Sequence, residues 1–296
     1  MSDLQYGLNT SVGFIFDGVA LSVMLYGITL GQVTYYFKTY QEDPPQMRLM
    51  VAILLGCETV KVAMNVKLFW LSLILHRADN FSFIRTLTIQ TVFSYVVMFI
   101  VQCFYIFNIK IILARKWYCR PVIYFAVLLS VGSLVIGCTM VNYEAYNHPV
   151  NAFDVAGQTQ MFALSSPIVT QAADVWIAAS LCYGLYGARS GYDATRNILV
   201  RLIMYTANRS LLLCLLQAIQ VVIWSLPVSS VHGATSLIYF PQSAVYLSSA
   251  LAMLNVRRHI RSRKTFERTV TRRVVALRLT CEEPSAANNL TGIGEV

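Results

Sequence analysis

The chain has 296 residues, 56% of them hydrophobic and only 12% charged, and its 23 Lys and Arg outnumber 14 Asp and Glu to leave a net charge of +9. So little polar side-chain surface excludes a soluble globular fold, and the length leaves no room for a soluble domain beside a membrane bundle. What remains is an all-α, polytopic membrane protein.

Seven apolar runs predict a seven-transmembrane-helix bundle over 1–254. The spans fall at about 14–37, 49–75, 86–109, 122–144, 165–187, 199–226 and 237–254, against roughly 20 residues needed to cross a bilayer. No basic residue precedes the first run, so it is read as an uncleaved anchor and not a signal peptide. Its Asp17 lies close enough to the outer surface to be hydrated. The second run holds Glu58, Lys61 and Asn65 at i, i+3 and i+7, one stripe on one helix face. A local ion pair of opposite charges one turn apart accounts for Glu58 and Lys61, and a polar intramembrane site is the alternative. After the third run, Cys119 stands beside Trp117 and Arg120 at the inner interface, a candidate for palmitoylation. The cysteines inside spans read as small apolar filler, and no structural disulfide is expected.

The longest outer connection, 147–164, is a candidate lid or ligand contact. In the fifth run Asp174 lies about 13 Å below the outer end, and in the sixth Arg209 lies about 15 Å above the inner end, at 1.5 Å per residue. Two readings stay open: a structural tie between Asp174 and Arg209, or a site in which Asp174 carries the charge that meets a ligand or ion. Asn208 and Gln217 read as hydrogen-bonding glue between helices. Pro241 falls in the first turns of the seventh run, where a kink would free a carbonyl that needs a partner from a neighbour. Beyond it, a cytosolic tail over 255–296 carries Val256, Ile260, Val270, Val274 and Leu277 at helical spacing among nine Lys and Arg. That pattern predicts a basic amphipathic helix over 255–280 on the anionic inner leaflet.

Orientation follows from the cations retained on the cytoplasmic side. Eighteen Lys and Arg fall in the odd-numbered connections and the tail, and two, Arg77 and Arg85, on the opposite side. The N-terminus is therefore expected outside and the C-terminus in the cytosol, with the plasma membrane as the expected location.

The stretches Ala173-Asp174-Val175-Trp176, Leu181-Cys182-Tyr183, Arg189-Ser190-Gly191, Tyr205-Thr206-Ala207-Asn208 and Leu251 through Arg258 carry a resemblance. They resemble the C-terminal half of an uncharacterised seven-helix integral membrane family of mushroom-forming fungi, whose members have a domain of unknown function over spans five to seven. The N-terminal half resembles it more loosely, through Val101-Gln102 and the polar pair of span two. The resemblance implies a fungal membrane protein and supplies no activity.

Named membrane chemistries find little to work with. A retinal Schiff base requires a Lys in the seventh span, and 237–254 has none. His76, His148 and His232 fall in three separate outer loops without the spacing of a zinc hydrolase. No enzyme, cofactor or metal is expected. Two functions remain: a receptor-like sensor with a polar intramembrane site drawn from Glu58, Lys61, Asn65, Asp174, Asn208 and Arg209, or a small-solute or ion transporter with the polar residues of spans two, five and six lining the path. Against a common G-protein-coupled receptor, the third span ends in Asn108-Ile109-Lys110. The expected partners are the bilayer, anionic inner-leaflet lipids at the tail and a cytosolic signalling protein; nucleic acid is not among them.

Overall fold

A computed structural model describes residues 2–73, 80–113, 117, 119–147, 158–187, 211–223 and 233–255. These residues are almost entirely helical, and no strand occurs among them. Seven helices are labelled in chain order: α1 Ser2–Thr39, α2 Pro45–Leu73, α3 Asn80–Leu113, α4 Cys119–Asn147 and α5 Gln158–Gly187, then α6 Leu211–Ile223 and α7 Ser236–Asn255. Asn208, Arg209 and the predicted tail helix from residue 256 onward lie outside the described residues.

The sequence dictates the break between α1 and α2. Asp43 precedes a proline, which disfavours helical backbone there, and Pro45 opens α2, where the missing N–H has no partner to lose. The Tyr36 hydroxyl donates to Asp43 Oδ2 at 3.1 Å and ties the turn to the end of α1.

Five segments are long and apolar enough to cross a membrane: Gly13–Thr39, Pro45–Leu71, Arg85–Ile111, Cys119–Thr139 and Ser236–Asn255. The protein is accordingly consistent with a multi-pass membrane protein. α5 has the length, with 30 residues, but Ser165, Ser166, Thr170, Gln171 and Asp174 dilute its apolar character. α6 is apolar and shorter.

α3 packs against α2, α4 and α5, and α1 against α2 and the start of α7. The main core joins Val97, Val101, Tyr105 and Ile109 of α3 to Leu54, Leu181, Leu213, Tyr246 and Leu251 of the surrounding helices. Large apolar side chains also cover the outside, including Met24 and Ile28 on α1 and Tyr124 and Leu128 on α4. The fully buried positions, by contrast, include Glu58, Lys61, Asn65, Gln90, Gln102 and Ser243. Apolar outside and polar inside is the distribution that hydrocarbon permits and water does not. Of the five crossing segments α7 is the most enclosed, 61% buried against 22% to 50% for the other four.

Close approach at two seams requires glycine. A Cβ at Gly18 would lie 2.6 Å from the Ser236 carbonyl oxygen and 3.0 Å from the Phe240 ring, so the absence of a side chain lets α1 touch the start of α7. A Cβ at Gly137 would lie 2.4 Å from the Tyr95 ring of α3. Cys119 packs within the main core and is only 9% exposed. It is not the accessible thiol that palmitoylation needs, because its side chain turns into the bundle while Trp117 faces out at 89%.

Candidate functional site

The second-span stripe is the centre of a buried polar network. Glu58 and Lys61 lie one turn apart on α2, and Lys61 Nζ is 3.0 Å from Glu58 Oε1, both side chains being fully buried. An ammonium has three N–H donors. All three are used: one goes to Glu58, one to Ser22 Oγ of α1 at 3.3 Å, and one to the Phe240 carbonyl at 2.6 Å. The second Glu58 oxygen, Oε2, accepts from Ser243 Oγ of α7 at 2.8 Å. Asn65, one turn further along α2, donates from Nδ2 to Ser22 Oγ at 3.2 Å.

Pro241 explains why a backbone carbonyl is available. Its missing N–H takes away the helical donor of the Leu237 carbonyl, and Phe240 and Pro241 form a turn between two helical stretches, so the Phe240 carbonyl is also outside the ladder. The ladder resumes when Val245 N–H reaches the Pro241 oxygen at 3.1 Å. The Phe240 carbonyl falls in the interruption and turns to Lys61. Kinks of this kind are tolerated in membranes where a neighbouring helix satisfies the freed groups.

Asp174 anchors a second cluster. Its Oδ1 accepts from Gln102 Nε2 of α3 at 3.3 Å, and its Oδ2 accepts a short hydrogen bond from the Tyr246 hydroxyl of α7. The pairing with Arg209 that the sequence offers falls outside the described residues; the described partners come from α3 and α7.

The clusters meet on α7. Phe240, Ser243 and Tyr246 follow one another at intervals of three residues on the buried face, and each contacts a buried ionisable group. Just above, the Tyr239 hydroxyl bonds Thr91 Oγ1 of α3. On the neighbouring seam the Tyr95 hydroxyl bonds Ser166 Oγ of α5, and Gln171 Nε2 of α5 donates to the Cys214 carbonyl of α6 at 3.2 Å. Three helices thus hold α7 through polar contacts, α2 by two of them and α3 and α5 by one each.

Of the residues singled out by sequence, Glu58, Lys61 and Asn65 share one cluster and Asp174 lies in another. Ser22, Ser243 and Tyr246, which complete these clusters, have no distinguishing signal in the sequence, and Gln102 enters there only through the family resemblance. Gln217 is buried on α6, yet neither end of its carboxamide has a hydrogen-bond partner, so the glue expected there is not made. Among the described residues no group of three His, Cys, Asp or Glu is arranged to hold a metal.

Residues 170–259 match the sequence family described as a family of unknown function, DUF6534. The matched segment contains Asp174, Gln217, Phe240, Ser243 and Tyr246, and leaves out their partners Glu58, Lys61 and Gln102. Neither the curated proteins nor the solved structures provide a match.

Proposed function

We propose that the protein is a receptor-like sensor with seven membrane spans, in which α5 and α6 join the five apolar segments, the N-terminus is outside and the C-terminus is cytosolic. The fungal plasma membrane is its proposed setting. The observation that carries this reading is the polar face of α7. An ionised side chain at mid-bilayer costs about 2.5 to 3.5 kcal/mol on insertion scales, and the bundle holds three such groups around one helix. Each of the three contacts on α7 breaks or forms as a discrete event, which gives the helix two defined seatings for a ligand to choose between. The tail that follows α7, with its nine cations, carries a change in seating to an acidic lipid surface or a cytosolic signalling partner.

The test is a pull-down of the tagged full-length protein, and of a truncation after Arg258, from membranes of cells that express it, read by mass spectrometry. Signalling proteins enriched only with the full-length chain support the sensor. Their absence moves the reading to a small-solute or ion transporter. That second reading draws on α6, where both ends of the Gln217 carboxamide and Gln220 Oε1 are buried without a hydrogen-bond partner.

A further inference from the structure

α4 is the least enclosed crossing segment, with 22% of its span buried. Its inward side is fixed. Ala126 and Ser130 are fully buried, the Val122 carbonyl accepts from the Trp176 indole of α5 at 3.2 Å, and the Phe125 and Trp176 rings meet edge to face at 4.6 Å. On the other side Arg120, Tyr124, Leu128, Val131 and Val135 recur every three or four residues, which is one stripe of a helix. All are exposed, Tyr124 at 73% and Leu128 at 67%. The stripe is polar at its first two residues and aliphatic over the rest.

Positive charge at the head of this stripe has no acid near it in the chain. Between Asp79 and Glu144 no acidic residue occurs, yet Lys110, Arg115, Lys116 and Arg120 gather where α3 gives way to α4. Lys110 and Arg120 are both exposed, and the residues that bracket the connection, Leu113 and Cys119, share the main core. The ion pair among the described residues is Glu58 with Lys61, so no carboxylate there holds Arg120. A helical side chain leans toward the N-terminus of its helix, which carries the Tyr124 ring over the turn that begins at Arg120. A guanidinium with its planar fork of N–H donors and a phenol hydroxyl are thereby presented together at one end of an apolar strip.

We propose that this stripe binds one anionic phospholipid, with the phosphate on Arg120 and the Tyr124 hydroxyl and an acyl chain along Leu128, Val131 and Val135. Each half of the ligand follows from a part of the stripe. Phosphate suits the fork of an Arg, which it meets through two parallel hydrogen bonds. From Tyr124 to Val135 the strip runs about 16 Å at 1.5 Å per residue, about half of the roughly 30 Å hydrocarbon core and so the depth of one leaflet. A soluble acidic protein meets the cation and leaves the strip untouched, whereas a phospholipid covers both. Four cations without a local acid favour an anionic headgroup over a zwitterionic one, whose own ammonium they repel. The site is separate from α7 and the tail, and only the choice of the cytosolic leaflet rests on the proposed orientation.

The test is native mass spectrometry of the purified full-length protein, taken from nanodiscs that hold phosphatidylcholine and phosphatidylserine of identical chains in equal amount. The wild type should retain a phosphatidylserine adduct in preference to phosphatidylcholine. Arg120→Gln should lower that adduct about fivefold, the effect of about 1 kcal/mol for one cation at an anionic surface. Tyr124→Phe leaves the charge in place and should lower it as well, and it serves alone if Arg120→Gln does not reach the membrane. Arg272→Gln, which takes one cation from the tail, should leave the adduct unchanged. An equal fall in Arg272→Gln marks a diffuse charge effect and overturns the site, as does retention without preference for phosphatidylserine or the absence of loss in both α4 variants. Excess inorganic phosphate at constant ionic strength should not displace the adduct; displacement assigns the site to a soluble anion and overturns the lipid. Signalling partners are read by capture, so this site and the sensor reading fail independently.

Discussion

Lys61 of α2 donates to the backbone carbonyl of Phe240 at 2.6 Å, across a separation of 179 residues. The contact joins a buried cation to the one stretch of α7 where proline has opened the main-chain ladder. It makes a charge on an early helix and a backbone irregularity on a late one into a single feature.

Breaking that feature from the charge side should be severe. Lys61→Met leaves Glu58 buried without its cation, and removal of one partner of a buried ion pair costs about 3 to 5 kcal/mol. The double variant Lys61→Met with Glu58→Gln should recover much of the loss, because no net charge remains inside. Thermal unfolding of the purified variants in nanodiscs measures both; no recovery in the double variant would show that the pair is not the dominant contribution.

From the backbone side, Pro241→Ala restores an N–H and permits a continuous helix, which withdraws the Phe240 carbonyl from Lys61. The change should destabilise the wild type and cost much less in the Lys61→Met background, with a coupling of about 0.5 to 3 kcal/mol. Additive effects in the double-mutant cycle would separate the kink from the cation.

Tyr246→Phe removes the hydroxyl that donates to Asp174. A hydrogen bond to a charged group contributes about 1.5 to 3 kcal/mol, and the variant removes one of the donors to the carboxylate. Asp174→Asn in the same background should add little further loss, since an amide needs no charged-state donor. Unfolding temperatures of the single and double variants decide it, and full additivity goes against the pair.

Gly18→Ala should disrupt the seam between α1 and α7, because the added methyl meets the Ser236 carbonyl oxygen and a backbone atom cannot swing aside. Overpacking of this sort costs about 1 to 3 kcal/mol. Gly27→Ala and Gly31→Ala, where an added Cβ meets nothing within 4 Å, serve as controls and should be tolerated. Surface level and detergent stability of the three variants compare them directly.

How much of this was readable in the sequence depends on whether a signal is local. Glu58 and Lys61 were readable as a pair because helical periodicity alone puts i and i+3 side by side. Asp174 stood out because a carboxylate in an apolar run is costly wherever it points. Its partners Gln102 and Tyr246 each lie 72 residues away, and nothing in the spacing of one helix encodes which neighbour it faces. Ser22 and Ser243 are small hydroxyls common in membrane helices, so their share in holding Lys61 and Glu58 left no trace. The Phe240 carbonyl has no side-chain signature, though Pro241 marked the place where a free backbone group would turn up.

The order in which the chain is made gives the Glu58 and Lys61 pair an additional role. α2 enters the bilayer long before the ribosome has released α7, so Ser243 and the Phe240 carbonyl do not yet exist when these charges reach hydrocarbon. Their spacing of one turn lets each shield the other through that interval. Arrival of the last helix then completes the shell around them, with Ser243 filling the second Glu58 oxygen and the Phe240 carbonyl the remaining Lys61 donor.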